Sequence, residues 1–191
     1  MNDTARTVYL VVTAAPPVLS IDRLIESLHA ADWRVCVIAT PTAASWVNLD
    51  DLADRTGTPV RSQPGLPGQR DPLPRADALL VAPATFNTIN KWAHGISDNL
   101  ALGLLNELLA TDVPILVAPC VKQLLRDHPA YTASVTTLTA MHVIFMDPDQ
   151  VTTRSPDGFA TFHWEQITTT LNQLISTSGE IARPSAQVDA T

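Results

Sequence analysis

Short apolar runs recur along this chain, separated by stretches whose apolar residues fall at helical spacing. Residues 8–12, 35–39, 78–81, 114–118 and 142–146 are mainly apolar, as strands covered on both faces of a parallel sheet must be. Between the first two, Leu19, Ile21, Leu24, Ile25 and Leu28 mark residues 18–30 as an amphipathic helix. Residues 43–53 read as a second helix, and leucines at 100, 104, 105 and 108 mark a helix over 100–109. Ser97 is the expected N-cap of that helix, with Gly95 separating it from the helix before. Residues 121–125 begin a further helix that Pro129 interrupts, and residues 162–175 form a closing helix. Strand and helix alternate five times, which predicts one doubly wound parallel sheet in three α/β/α layers.

One stretch departs from the pattern. Residues 56–75 carry five prolines and three glycines, too irregular for a long element, and are read as a short strand near Val60 followed by a mobile loop. Residues 178–191 are polar and breaker-rich and are expected to be a flexible tail on a domain spanning 1–177.

Composition narrows the classes. A chain of 191 residues with 46% hydrophobic content buries one substantial core. Nineteen acidic against twelve basic side chains give a formal charge of −7, which opposes nucleic acid or an anionic membrane as the principal partner. No apolar run approaches the roughly 18 residues of a membrane span, and residues 1–6 are too polar for a secretory leader, so a cytoplasmic protein is expected. Cys36 and Cys120 lie in or at the end of apolar strands and form no C-x-x-C pair, which favours buried thiols over a disulfide or a metal site.

The chemistry concentrates in residues 82–103, A-P-A-T-F-N-T-I-N-K-W-A-H-G-I-S-D-N-L-A-L-G. This tract lies at the carboxyl end of the third strand, where open α/β sheets bind their ligands. Small residues there let a ligand approach the backbone closely. Thr85 or Asn87 is placed to cap a helix whose free N–H groups suit a phosphate. Phe86 or Trp92 supplies an aromatic face for an apolar ring, although Trp92, at helical spacing from Ile89, also reads as core.

The order P-A-x-x-N-T-I-N-K, then G-I, then D-N-L resembles the flavin-binding segment of the homo-oligomeric flavin-containing cysteine decarboxylases, which include the phosphopantothenoylcysteine decarboxylases. The resemblance implies a Rossmann-like sheet of flavodoxin type binding flavin mononucleotide (FMN), in a trimer or a dodecamer of trimers, with a small molecule as substrate. Carried over position by position, Pro83, Ala84, Thr85, Asn87 and Thr88 would line the flavin and its phosphate, Asp98 and Asn99 would support that loop or touch the cofactor, and Thr40, Thr42 and Ala43 match a second flavin-contacting loop, with Phe86 counted among the cofactor residues for its ring. The activity implied is oxidation of a thiol-bearing substrate to a thioaldehyde that loses carbon dioxide.

Three positions depart from that family. Its Gly-Ser turn after the first strand is Ala14-Ala15-Pro16-Pro17 here, and proline offers no N–H to a phosphate. The family's catalytic histidine falls at Gln69, which cannot serve as a base at neutral pH. Its substrate-binding P-x-M-N becomes Pro119-Cys120-Val121-Lys122. Lys122, with Arg126 one turn later, either clamps an anionic substrate by charge or is a solvated surface cation. His128 and His94 are the histidines placed to replace the lost base, each also well suited to a helix end. Two functions follow: a divergent flavin-dependent decarboxylase or oxidoreductase, or a flavin-binding subunit that has lost catalysis.

Overall fold

The computed structural model describes residues 5–66, 68, 73–156 and 159–181. Strand β1 (Arg6–Val12) enters a 3-10 turn (Pro16–Ser20) and α1 (Asp22–Ala30), and β2 (Trp33–Ala39) leads to α2 (Pro41–Ala44) and α3 (Leu49–Thr56). Strand β3 (Ala78–Ala84) is followed by α4 (Phe86–Ala93) and α5 (Leu100–Leu108), and β4 (Ile115–Pro119) by α6 (Gln123–Arg126) and α7 (Pro129–Ala140). Then come β5 (Ile144–Phe145), α8 (Pro148–Val151), a hairpin of β6 (Thr152–Arg154) and β7 (Ala160–Phe162), and α9 (Trp164–Ile181).

The five main strands form one parallel sheet in the order β2-β1-β3-β4-β5, the flavodoxin-type arrangement. Alternate residues along each strand serve opposite faces. On one side Val8, Leu10, Val12, Val35, Val37, Leu80 and Leu116 pack with Leu24, Ile25 and Leu28 of α1 and Ile167 and Leu171 of α9. On the other, Val11, Ile38, Leu79, Val81 and Val117 pack with Ile89 and Trp92 of α4, Leu102 and Leu105 of α5 and Leu138 of α7. Each fully buried leucine or isoleucine contributes about 1.5–3 kcal/mol. Polar bonds set how α9 sits, with the Trp33 indole N–H on Asn172 Oδ1 (2.8 Å) and the Ser27 hydroxyl on Thr168 Oγ1 (2.8 Å).

The differences from the sequence reading lie mostly at element ends. The expected helix over 18–30 starts as a 3-10 turn with prolines in its first positions, and α1 proper begins at Asp22. The expected helix over 43–53 is split. Asn48 restarts it by accepting the N–H groups of Asp50 and Asp51, and Gly57, at φ 64°, ends it in the left-handed region. Near Val60 there is a single bridge, Ile38 to Arg61, rather than a strand. Pro129 starts α7 instead of interrupting a helix, because a first-turn proline loses no helical hydrogen bond. The last sheet strand is only Ile144–Phe145. The β6–β7 hairpin was not anticipated, since its strands are too short and polar to show a periodic pattern. The closing helix begins two residues later than expected and runs through Ile181. Cys36 and Cys120 are both buried thiols.

Candidate functional site

In the order β2-β1-β3-β4-β5 the chain reverses direction across the sheet between β1 and β3, and this switch point opens a crevice at the carboxyl ends. A threonine follows each of the three strands beside it: Thr13 after β1, Thr40 after β2 and Thr85 after β3. All three line one cleft of about 420 Å³, within the roughly 300–1,000 Å³ range of small-molecule sites.

Thr13 ties the crevice together. Its side chain is 1% exposed, its hydroxyl donates to Pro83 O (2.7 Å) and its oxygen accepts the Thr85 N–H (3.1 Å). On the β2 side the Thr40 N–H donates to Val12 O (3.0 Å), and the Thr40 hydroxyl oxygen accepts from Ala43 N–H (3.4 Å). Thr85 is the N-cap of α4. Its oxygen accepts the Thr88 N–H (3.4 Å) and lies 3.0 Å from the Thr88 hydroxyl. The remaining first-turn N–H groups of α4, on Phe86 and Asn87, have no acceptor within the helix. Asn87 lines the cleft, so the start of α4 brings a donor and the positive end of the helix dipole to it.

The far wall is the start of α5. Gly95, at φ 68°, takes the left-handed conformation that turns the chain between α4 and α5. Asn99, not Ser97, caps α5 by accepting the Leu102 N–H (3.1 Å), while the Ser97 hydroxyl receives a bond from Asn106 (2.9 Å). Asp98 accepts from the Asn99 side-chain amide (3.0 Å) and from the Lys91 ammonium.

Of the residues expected to hold a cofactor, Thr40, Thr42, Thr85, Asn87, Thr88, Asp98 and Asn99 line this cleft. Ala43, Pro83 and Ala84 lie buried behind it. Phe86 turns towards α7, stacked on Tyr131 (centroids 6.4 Å apart) and edge-on to His128 (5.8 Å), and Trp92 is core at 1% exposure. Thr13 and Lys91 line the cleft and were missed. Signals for both were available: Thr13 repeats the strand-end threonine of positions 40 and 85, and Lys91 stands four and three residues beyond Asn87 and Thr88, on one helix face.

The residues expected to act on substrate are not gathered there. His94 ends α4 with Nδ1 bonded to Asn90 O (2.8 Å), and His128 caps α7 by accepting the Ala130 N–H (3.1 Å). Neither lines the cleft. Lys122 is exposed ahead of α6. Arg126 is engaged, donating to both carboxylate oxygens of Asp149 (3.0 and 2.7 Å) and to Gln123. That pairing raises the Arg126 pKa and lowers the Asp149 pKa. Burial pushes the Cys120 thiol up, against the pull of nearby Arg154. Gln69 lies outside the described residues.

A doubly wound sheet with its ligand crevice at the β1/β3 switch point is a nucleotide-binding architecture. The chain belongs to the flavoprotein family, whose model, described as Flavoprotein, matches residues 1–176. It is 31% identical over 151 residues to the coenzyme A biosynthesis bifunctional protein CoaBC of Bacillus subtilis, the match covering 76% of this chain and 36% of that protein. The chain thus spans about a third of the length of that relative. Two solved structures share the fold. The FMN binding protein AtHal3 is 20% identical with a TM-score of 0.72, covering 91% of this chain and 98% of the other. The FMN-dependent cysteine decarboxylase SpaF is 18% identical with a TM-score of 0.71, covering 92% of this chain and 98% of the other. No helix among the described residues is long and apolar enough to cross a membrane.

Proposed function

We propose that this protein binds FMN in the crevice walled by Thr13, Thr40 and Thr85 and acts as a divergent flavin-dependent decarboxylase or oxidoreductase on a small anionic or thiol-bearing substrate. The observation that carries the reading is the convergence of three strand-end threonines and the open N-terminus of α4 on one cleft at the switch point. Hydroxyls, side-chain amides and helix N–H groups are the donor set that a phosphate, a polyol chain and the polar edge of a flavin require. The residues present fit the group on that chemical ground. Thr85, Thr88 and Asn87 would hold it from the α4 side, and Thr13, Thr40 and Thr42 from the side of β1 and β2.

Bound there, the flavin would supply the two-electron oxidation that no side chain provides. The protein's share is binding and orientation, with Thr13 keeping the β1 and β3 exits in register around the cleft. A homo-oligomer, a trimer or a dodecamer of trimers, belongs to the same proposal, supported by the exposed apolar side chains of Leu19 and Trp46, which line one surface groove. One observation favours the second reading, a flavin-binding subunit without catalysis: no histidine or cysteine lines the cleft among the described residues.

Purified protein incubated with FMN and freed of excess tests the proposal. Retained yellow flavin in a stoichiometric complex is expected, and a colourless protein that takes up no FMN refutes it. Anaerobic bleaching of the bound flavin by a cysteine-ended acid supports the catalytic reading, whereas bound flavin indifferent to a panel of thiols and small anionic acids supports the subunit reading. Asn87→Asp, which sets a carboxylate beside the α4 N-terminus, is expected to weaken FMN binding about tenfold or more.

A further inference from the structure

We propose that Lys91 is the phosphate ligand of the cleft, held by Asp98 until a phosphate takes it over, and that it makes the protein discriminate a phosphorylated flavin from riboflavin. The assignment rests on the flavin reading above and gives a role to Lys91, the last residue of the P-A-x-x-N-T-I-N-K tract, which the resemblance matched without assigning it to the cofactor.

Charge is the first ground. Among the described residues that line the cleft, Lys91 is the single cation and Asp98 the single anion. A phosphomonoester carries about −1.5 to −2 charges at pH 7, so a neutral set of hydroxyls and amides leaves most of that charge uncompensated. The Lys91 ammonium, with three donors on a flexible stem, is the group in the cleft able to meet it.

The β1 exit is the second ground, because it cannot do this work. Pro16 and Pro17 occupy the first positions of the 3-10 turn and have no N–H. The Ala15 N–H is already given to Thr13 O at 2.9 Å. The turn's donors are therefore nearly exhausted before any ligand arrives, which leaves the grip on a phosphate to the β2 exit, whose Thr40 and Thr42 bring hydroxyls without charge, and to α4, which brings the ammonium.

Placement is the third. Asn87, Thr88 and Lys91 share one face of the eight-residue α4 and all line the cleft. Lys91 is parked, not locked. Its partner is a part-exposed carboxylate, the two side chains being 30% and 47% exposed, and such pairs contribute only about 0–1 kcal/mol. A dianion therefore displaces Asp98 at small cost. Asp98 stays bonded to the Asn99 amide (3.0 Å) after releasing the lysine, so the start of α5 need not rearrange.

Binding of FMN and of riboflavin, followed by fluorescence in wild type, Lys91→Met, Lys91→Arg and Asp98→Asn, tests this. Wild type is expected to prefer FMN. Lys91→Met should lose about tenfold to a hundredfold in FMN affinity, the loss of one charge-assisted hydrogen bond, with riboflavin changed less than about threefold. Lys91→Arg should recover most of the FMN affinity, and Asp98→Asn should tighten FMN by up to about fivefold. Rising salt should weaken FMN and leave riboflavin unmoved wherever the cation is kept, and Lys91→Met should lose most of that salt dependence. Equal losses for both flavins in Lys91→Met, or an FMN preference that survives it, overturn the role of Lys91 and leave the flavin site standing. A wild type that binds neither flavin refutes the flavin reading and this assignment with it.

Discussion

The exits of β1 and β3 stand side by side at the same edge of the sheet and are built in opposite ways. After β3, Thr85 caps an eight-residue helix whose first turn brings Thr85, Asn87 and Thr88 to the cleft. After β1, the chain enters a 3-10 turn with prolines in its first two positions and no side-chain cap. One exit is rich in donors and the other is poor in them. A crevice between two strands can be furnished from either wall, and here the β3 side and its helix carry the donors. The β1 side contributes chiefly Thr13, whose hydroxyl bridges the two exits.

If that bridge holds the two walls together, breaking it has the largest effect. Thr13→Val keeps the shape but strands the buried Pro83 carbonyl and Thr85 N–H, and should cost about 2 kcal/mol in urea unfolding along with most FMN affinity. Thr13→Ser, which keeps the hydroxyl, should recover most of both. Next in size is the donor-rich exit. Thr85→Ala removes the α4 cap and should cost about 1 kcal/mol of stability and weaken FMN binding, both read by thermal melts and flavin titration. The smallest effect is expected where the donor-poor exit is repaired. Pro16→Ser adds one N–H and a hydroxyl to the turn, lowers stability by less than about 1 kcal/mol through added unfolded-state freedom, and should tighten FMN a few-fold. If Thr85→Ala leaves FMN affinity unchanged while Pro16→Ser raises it strongly, the contrast between the two exits is drawn the wrong way round.

Much of the layout was legible in the sequence because it rests on local regularities. Apolar runs such as Val8 to Val12 announce buried strands, and helical spacing in residues 100–109 announces a core-facing helix. Caps were less legible. Ser97 and Asn99 are both good N-cap residues, and only the backbone path decided for Asn99 while giving the Ser97 hydroxyl to Asn106. Splitting of the second helix at Asn48 was hidden for the same reason, since only the backbone path makes Asn48 the acceptor for the N–H groups of Asp50 and Asp51. In the site, the strand-end tract pointed to Thr85, Asn87, Thr88, Asp98 and Asn99 as a group, and these line one cleft. Phe86 was a fair candidate by type but stacks on Tyr131 of α7.

By itself, then, the sequence determined the alternation of strands and helices, the donor-rich tract after β3 and the donor-poor prolines after β1. Those properties follow from residue type and spacing within a few positions. Tertiary structure alone decided that Thr13 reaches across to Pro83 and Thr85, some seventy residues away, that Lys91 shares the cleft with Asp98, and that Arg126 is bound to Asp149. Each of these joins side chains brought together by strand order and helix placement, and no local pattern encodes which distant partner a hydroxyl, an ammonium or a guanidinium will find.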